Sequence, residues 1–242
     1  MRLMATEKTI VWITGGTSGI GLAAAKAFAE KGYCVAVSGR DEAKLNAAVS
    51  MLEELDGEVI GTITDVTKSD DITVALDEIT KSFGSSPDIL INNAGISPWS
   101  TFSETTTEEF DAVMNTNVIG YFLAAKAVIP GMLAKGSGDI VQVLSIASKK
   151  AFKNGAAYNA SKFAALGMTD SMREDLRGKN IRVISVFPGA TETPMWDEAE
   201  RVKYHEKMMQ PEDIAQAIIA TLELPRRASV EEIVIRPIGG DL

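Results

Sequence analysis

Short apolar runs alternate along the chain with longer stretches in which apolar residues recur every three or four positions. The short runs are typical of buried strands, and the longer stretches are typical of helices with one apolar face. The pattern predicts strands at 9–13, 34–38, 59–63, 89–91, 140–144, 181–186 and 232–235. It predicts helices at 22–28, 41–55, 69–83, 107–132, 157–177 and 211–222, with an irregular segment at 189–210.

This alternation predicts an α/β fold of the doubly wound kind, a parallel sheet of about seven strands with helices on both faces. The run 89–91 is wholly apolar, as expected for a central parallel strand. No linker, repeat or low-complexity tract interrupts the pattern, so we expect one domain over 1–242. Ligands of such sheets bind at the carboxyl ends of the strands, so the residues that follow each strand are the candidates for chemistry.

A glycine-rich turn, 14–21, joins the first predicted strand to the first helix. Gly15, Gly19 and Gly21 allow a tight turn, a close approach of the backbone to a pyrophosphate, and close packing of the helix on the strand. The free N–H groups at the start of the helix favour an anion at this position. A glycine turn alone is also compatible with a tight loop that binds nothing.

Ser38, Gly39 and Arg40 follow the second predicted strand. Folds that prefer NAD usually carry an acidic residue here, which bonds the ribose 2′-hydroxyl. In this chain the acid is absent and an arginine follows, which suits the 2′-phosphate of NADP(H). A solvated surface arginine is the alternative.

The next two strands are also followed by residues suited to a nucleotide. Asp65 can accept a hydrogen bond from an adenine amino group while Val66 packs against the ring, although Asp65 can equally form a turn. Asn92-Asn93-Ala94-Gly95 follows the fourth strand. Its small residues let the backbone lie against a cofactor and its amides can tie adjacent strands together, so we expect a partly structural role.

Composition and charge narrow the classes of function. The chain has 242 residues, 45% of them hydrophobic, and a net charge of −9. The negative charge argues against a nucleic-acid groove or an anionic membrane surface. No apolar run approaches the ~20 residues of a membrane span. Residues 1–8 contain no signal-peptide core and the single cysteine, Cys34, cannot form an internal disulfide, so we expect a cytoplasmic protein.

Tyr158 and Lys162 stand four residues apart near the start of a predicted helix, on one face and one turn apart. An ammonium about 4 Å from a phenol contributes roughly 4 kcal/mol at an effective dielectric near 20. That corresponds to about three pKa units and predicts a phenol tuned toward neutrality, where proton transfer works best. Ser145 closes the fifth strand, where a substrate oxygen would sit, and Ser148 is a second candidate for that position.

Together these features resemble the short-chain dehydrogenase/reductase family over essentially the whole chain. The motifs that carry the resemblance occur in family-like order: Thr14-Gly15-x-x-x-Gly19-x-Gly21, Asn92-Asn93-Ala94-Gly95, Asn117, Ser145, Tyr158-x-x-x-Lys162 and Pro188-Gly189. The resemblance implies a hydride transfer between NADP(H) and a carbonyl or secondary alcohol. Some NADP-dependent members carry a basic residue in the glycine turn, whereas this chain has Thr17 and Ser18, which leaves Arg40 as the main ligand of the 2′-phosphate.

The resemblance also implies roles for the site residues. Tyr158 would be the general acid/base, Ser145 would hold and polarise the substrate oxygen, and Lys162 would lower the pKa of Tyr158 and bond the nicotinamide ribose. Asn117 would anchor a water that links Lys162 to solvent. Thr191 and Thr193 would contact the carboxamide and the phosphates. The residues expected to bind the cofactor are Gly15, Thr17, Ser18, Gly19, Ile20, Gly21, Ser38, Arg40, Asp65, Val66, Asn92, Ala94, Gly95, Tyr158, Lys162, Pro188, Gly189, Thr191 and Thr193.

No metal is expected, because the only histidine, His205, has no cysteines nearby and is better interpreted as a solvated residue. The segment 190–210, which contains Met195, Trp196 and Tyr204, resembles an amphipathic flap that closes over substrate. Pro98, Trp99 and Phe102 are expected to form the opposite wall, with ordinary packing as the alternative. Apolar walls predict a carbonyl compound with an apolar portion.

Within the family, the ending 230–237 is similar to small carbonyl, sepiapterin and 3-hydroxy-acid dehydrogenases. A 3-oxoacyl-carrier-protein reductase is the alternative enzyme, and a non-catalytic NADP-sensing regulator on the same fold is the alternative class. The intact set of Asn117, Ser145, Tyr158 and Lys162 favours an enzyme.

We also expect a homo-oligomer, a tetramer or a dimer. The predicted helices 107–132 and 157–177 are more apolar than one sheet face can bury, which fits a two-fold helix bundle between subunits. The last strand could add a second two-fold contact. The alternative is that both helices are buried within one subunit.

Overall fold

A computed structural model of the protein describes residues 8–240, so the expectation of no signal-peptide core at the N-terminus falls largely outside the described residues. The strands form one seven-stranded parallel sheet in the order β3-β2-β1-β4-β5-β6-β7. The strands are β1 Ile10–Thr14, β2 Cys34–Gly39, β3 Glu58–Ile63, β4 Ile89–Asn92, β5 Gly138–Val143, β6 Ile181–Pro188 and β7 Glu232–Ile235. The predicted doubly wound architecture is therefore confirmed.

Helices cover both faces of the sheet. They are α1 Gly19–Ala29, α2 Glu42–Leu52, α3 Ser69–Phe83, α4 Thr107–Met114, α5 Gly120–Lys135, α6 Ala156–Leu176, α7 Glu198–Tyr204 and α8 Pro211–Leu222. One core joins α1, α2 and α8 to the sheet through buried residues such as Phe28, Leu45 and Ile218. The other core joins α3, α5 and α6 to the opposite face around Trp12 and Met132.

Two predicted segments differ from the structure. The long helix predicted at 107–132 is divided into α4 and α5 by a π-helical turn, Asn115–Ile119, and extends to Lys135. The prediction of an irregular segment over 189–210 was wrong, because this segment contains α7 and a short 3₁₀ turn, His205–Lys207. None of the residues of α7 is buried, so hydrophobic periodicity could not reveal this helix.

The helical segment Thr107–Lys135 is long and apolar enough, by length and composition alone, to cross a membrane. The expectation that no segment approaches the length of a membrane span considered only uninterrupted apolar runs, and this segment also contains polar residues. In the fold the segment packs as a core helix, with Ala124, Val128 and Met132 completely buried against the sheet.

A buried ion pair holds the amino ends of β5 and β6 to the end of α8. The guanidinium of Arg182 donates to both carboxylate oxygens of Asp139, at 2.6 and 3.2 Å, and to the carbonyls of Leu222 and Leu224. Arg226 donates to the same carboxylate at 2.7 Å. Arg182 and Asp139 are both buried, so the charge of Arg182 is compensated by Asp139, while Asp139 is compensated chiefly by Arg182 and also by Arg226.

Replacing Arg182 with Ala is expected to lower the free energy of unfolding by about 3–5 kcal/mol, because Asp139 then loses its bidentate partner while buried. Chemical denaturation measures this loss. Arg177→Ala is the matched control, because Arg177 pairs with Glu174 on the surface, where an ion pair contributes little to stability. Equal losses for the two variants would contradict this account of the fold.

Candidate active site

A cavity of about 1240 Å³ lies along the carboxyl edge of the sheet. Ligand pockets for drug-sized molecules commonly measure about 300–1,000 Å³, so this cavity has room for a dinucleotide and a substrate together. Its walls are the glycine turn, the residues after β2 to β6, and the segment that follows β6. The predicted cofactor residues on its wall are Gly15, Thr17, Ser18, Gly19, Ile20, Ser38, Arg40, Val66, Ala94, Gly95, Tyr158, Lys162, Pro188, Gly189, Thr191 and Thr193.

The glycine turn has the shape that a bound pyrophosphate needs. Gly15 and Gly19 have φ of 65° and 54°, the left-handed region that favours glycine. A Cβ on Gly21 would lie 2.3 Å from the carbonyl oxygen of Gly15, so only glycine lets α1 start this close to the turn. The first turn of α1 contains no acidic residue, which leaves its N–H groups available to an anion. These features fit a dinucleotide.

Thr14 and Asn93 bind the glycine turn to the turn after β4. The Thr14 hydroxyl accepts from the backbone N–H groups of Asn93 and Ala94, at 3.0 and 3.2 Å. The Asn93 amide donates to the carbonyls of Thr14 and Gly15, at 3.1 and 3.0 Å. Asn93 also lines the cavity, although we had not included it among the cofactor residues.

Three of the expected cofactor residues do not line the cavity. Gly21 packs against the turn, and the Asn92 amide is buried and donates to the carbonyl of Tyr121 at 2.9 Å. The Asp65 carboxylate accepts from the backbone and hydroxyl of Thr67, the geometry of the turn-forming alternative. Burial acts to raise the pKa of Asp65, but these hydrogen bonds and the charge of Arg40 hold it below its usual value.

The outer end of the cavity, beside β2, is basic. Arg40 is exposed there, and Lys44, one turn into α2, lines the same wall. Asp41 lines this wall too. Its carboxylate caps α2 by accepting from the backbone N–H of Lys44 at 3.0 Å and lies 3.9 Å from the Lys44 ammonium. We had missed Lys44, whose only signal in the sequence was its position one helical turn after Arg40.

Ser145, Tyr158 and Lys162 meet on the wall of the cavity. Ser145 starts a 3₁₀ turn, its hydroxyl accepts from the backbone N–H of Ala147 at 3.0 Å, and it also hydrogen-bonds the Tyr158 side chain. Ser148, our second candidate, is buried and does not line the cavity. Asn117 lies behind the wall in the π-helical turn and bonds the backbone of Ile96.

Burial is the main influence on the pKa values of Tyr158 and Lys162. Burial raises the pKa of Tyr158, opposed by the hydrogen bond from Ser145. Burial also lowers the pKa of Lys162 to about 7. The Lys162 ammonium donates to the carbonyl of Val143 at 3.1 Å and lies 5.7 Å from the centre of the Tyr158 ring. The pKa of Tyr158 is thus raised and not lowered as expected, because burial outweighs the hydrogen bond from Ser145.

Aromatic residues line the cavity beside Tyr158. The Trp99 ring lies 5.9 Å from the Tyr158 ring, and Trp99 packs over Gly155, where a Cβ would come within 3.1 Å of the indole. The segment after β6 contributes Met195, Trp196 and Tyr204 to the wall. Pro98 also lines the cavity, whereas Phe102 is 89% exposed and does not.

His205 lies outside the main cavity, where its Nδ1 is 2.7 Å from the Glu192 carboxylate. Gln210 donates to the same carboxylate at 3.0 Å. Within residues 8–240, no group of three or more His, Cys, Asp or Glu side chains could hold a metal ion.

Known proteins resemble this chain in both sequence and fold. Residues 9–203 match the family described as short chain dehydrogenase. The sepiapterin reductase of Chlorobaculum tepidum is 36% identical over 97% of this chain and 98% of its own. An alcohol dehydrogenase from the archaeon Thermococcus sibiricus, complexed with 5-hydroxy-NADP, superposes with a TM-score of 0.84 at 25% identity and covers 96% of this chain and 97% of its own.

A 3-ketoacyl-(acyl-carrier-protein) reductase from Brucella melitensis, complexed with NADH, superposes with a TM-score of 0.86 at 29% identity. It covers 96% of this chain and 98% of its own length. The family match spans most of the chain, including the glycine turn, Ser145, Tyr158 and Lys162. The chain belongs to the short-chain dehydrogenase/reductase family of oxidoreductases.

Proposed function

We propose that the protein is a cytoplasmic NADP(H)-dependent oxidoreductase that interconverts a carbonyl compound and its secondary alcohol, with Tyr158 as the general acid/base. The observation that carries this proposal is the meeting of Ser145, Tyr158 and Lys162 on the wall of one large cavity. We further propose one catalytic domain in which the segment 190–210 is the substrate flap. The cytoplasmic location is supported by the net charge of −9 and by the unpaired Cys34.

NADPH, held by the glycine turn and the basic end of the cavity, would supply a hydride for the carbonyl carbon. Ser145 and Tyr158 donate hydrogen bonds to the carbonyl oxygen, where negative charge develops in the transition state. Tyr158 then gives its proton to that oxygen. Burial disfavours the phenolate of Tyr158 and the ammonium of Lys162, so each charged form needs an opposite charge nearby. The role that we propose for Lys162 is to supply a positive charge to the Tyr158 phenolate when the proton leaves.

The preference for NADP(H) rests on the basic end of the cavity. Arg40 lines it, and Lys44 adds a second positive charge that the Asp41 carboxylate, 3.9 Å from the ammonium, offsets in part. The solved relatives carry 5-hydroxy-NADP in one case and NADH in the other, so family membership leaves the choice open. The local charge supports NADP(H).

The substrate that we propose is a carbonyl compound with a planar or apolar portion. Trp99 beside Tyr158 and Trp196 in the flap offer aromatic surfaces within the cavity, and the sepiapterin reductase relative supports such a substrate.

The alternative is a 3-oxoacyl-carrier-protein reductase, which the likeness to the Brucella melitensis enzyme favours. A non-catalytic NADP-sensing regulator remains the alternative from another class. Turnover with NADPH over a panel of aromatic ketones, sepiapterin and 3-oxoacyl thioesters separates the three.

We also propose a homo-oligomer, a tetramer or a dimer. Ile119 and Phe122 in the long helical segment and Phe163 on α6 are large apolar side chains that are 42%, 44% and 46% exposed. Large apolar side chains exposed on neighbouring helices are typical of an interface. The edge strand β7 exposes Val234 by 50% and offers a second contact.

Tyr158→Phe removes only the hydroxyl that gives the proton, so turnover should be lost while NADPH still binds. Steady-state kinetics and a fluorescence titration of NADPH measure the two effects. Tyr33→Phe is the control, because Tyr33 packs on Phe28, does not line the cavity and should leave turnover intact. A Tyr158→Phe variant that kept more than about a tenth of the rate would rule out Tyr158 as the acid.

Arg40→Ala should weaken NADPH binding by about 10- to 100-fold, the loss of one charge-assisted contact to a phosphate. NADH binding should change little, because NADH has no 2′-phosphate. Titration of both cofactors measures the difference, with Arg227→Ala, an exposed arginine that does not line the cavity, as the control. Equal losses for both cofactors would contradict the proposed preference.

Light scattering at micromolar concentration should give a mass of two or four subunits rather than the 25.9 kDa of one chain. Phe163→Asp should shift the protein toward the monomer, because a charge cannot be buried unpaired in the interface. Val74→Asp, on the exposed face of α3, is the control and should leave the mass unchanged. A monomeric wild-type protein would refute the proposed oligomer.

A further inference from the structure

A chain of buried hydrogen bonds links the turn after β4 to the helix that carries Tyr158. The Asn117 amide accepts from the Ile96 N–H and donates to the Ile96 carbonyl, both at 2.9 Å. Its second N–H donates to the Ser161 hydroxyl at 3.0 Å. Ser161 in turn donates to the backbone carbonyl of Tyr158 at 2.8 Å. Asn117 and Ser161 are completely buried.

The direction of each bond in this chain is determined. The Ser161 hydroxyl hydrogen is committed to the Tyr158 carbonyl, so the Ser161 oxygen can only accept from Asn117. The Asn117 amide must therefore turn its NH₂ group toward Ser161, which leaves its oxygen facing the N–H of Ile96. The hydroxyl of Ser161 and the backbone of Ile96 thus require the same orientation of the Asn117 side chain.

The π-helical turn explains how Asn117 reaches both partners. It inserts an extra residue between α4 and α5, and such turns are frequent at functional sites. Gly95, next to Ile96, leaves only enough room for this arrangement, since a Cβ there would lie 3.2 Å from the Asn117 oxygen. The cavity wall at Gly95 and Ile96 is thereby held at a fixed place relative to Tyr158.

We propose that Ser161 is a positioning residue, which holds Asn117 and the backbone of Tyr158 together so that the tyrosine hydroxyl faces the substrate wall. The proposal rests on the proposed role of Tyr158. Ser161 does not line the cavity and is not expected to touch substrate or cofactor. Its removal should misplace the proton donor and leave the cofactor site intact.

Ser161→Ala should lower kcat by about tenfold or more, since a buried N–H of Asn117 loses its acceptor and the Tyr158 carbonyl loses the hydroxyl that ties it to Asn117. The dissociation constant of NADPH should stay within about twofold of the wild-type value. Asn117→Ala should give a similar loss of kcat, and the double variant should lose little more than either single variant, because the two residues act as one unit. If Ser161→Ala does not fold, Ser161→Cys, similar in size but a weaker hydrogen-bonding group, carries the same test.

Thr169→Val is the matched control on the same helix. Its hydroxyl is also completely buried and donates to a backbone carbonyl, that of Ala165, at 2.7 Å, but it does not contact Asn117. This variant should lose stability and keep wild-type kcat. A wild-type kcat for Ser161→Ala, a loss equal to that of Thr169→Val, or additive losses in the double variant would each overturn the proposal. Failure of the proposed function itself would show separately, as turnover retained by Tyr158→Phe.

Discussion

A parallel sheet covered on both faces must be apolar along its strands, and this constraint determines where the chemistry of the protein can lie. Every residue of β1 and β6 is buried, and so is every residue of β4 and β5. Polar side chains that need a ligand or solvent are therefore confined to the ends of the strands. Because all the strands run in one direction, their carboxyl ends meet at one edge, where the cavity opens.

The same constraint explains why the sequence predicted the sheet and most of the cavity wall so well. Buried strands such as 89–91 read as continuous apolar runs, and each run places the residue that follows it at the shared edge. The predictions fail where burial gives no periodic signal. The exposed helix α7 has no apolar face, and the π-helical turn differs from an α-helix only in backbone geometry, which residue type does not reveal.

The pKa values of Tyr158 and Lys162 could not be predicted from spacing. A separation of four residues on a helix indicates proximity, but the ammonium donates to the carbonyl of Val143 rather than to the phenol. How far each group is desolvated depends on the whole fold, on Tyr121 packed beneath the lysine as much as on the cavity. The sequence identified the partners, whereas the tertiary packing determines their protonation. The Asn117–Ser161 bond likewise joins residues from elements far apart in the chain.

Hydrogen bonds between the two ends of the segment 190–210, the proposed flap, affect which sequence changes the protein can tolerate. Glu192 donates its N–H to the carbonyl of Met209 at 2.9 Å, and Met209 donates to Ala190 at 3.0 Å, so the two ends of the flap are fastened to each other. These hydrogen bonds at the base offset the entropy lost when the loop closes, so loop closure does not depend on the side chains between its ends. The intervening residues, several of which face the cavity, therefore contribute little to holding β6 and α8 together. Substitutions and length changes there can reshape the cavity wall during evolution at small cost to stability.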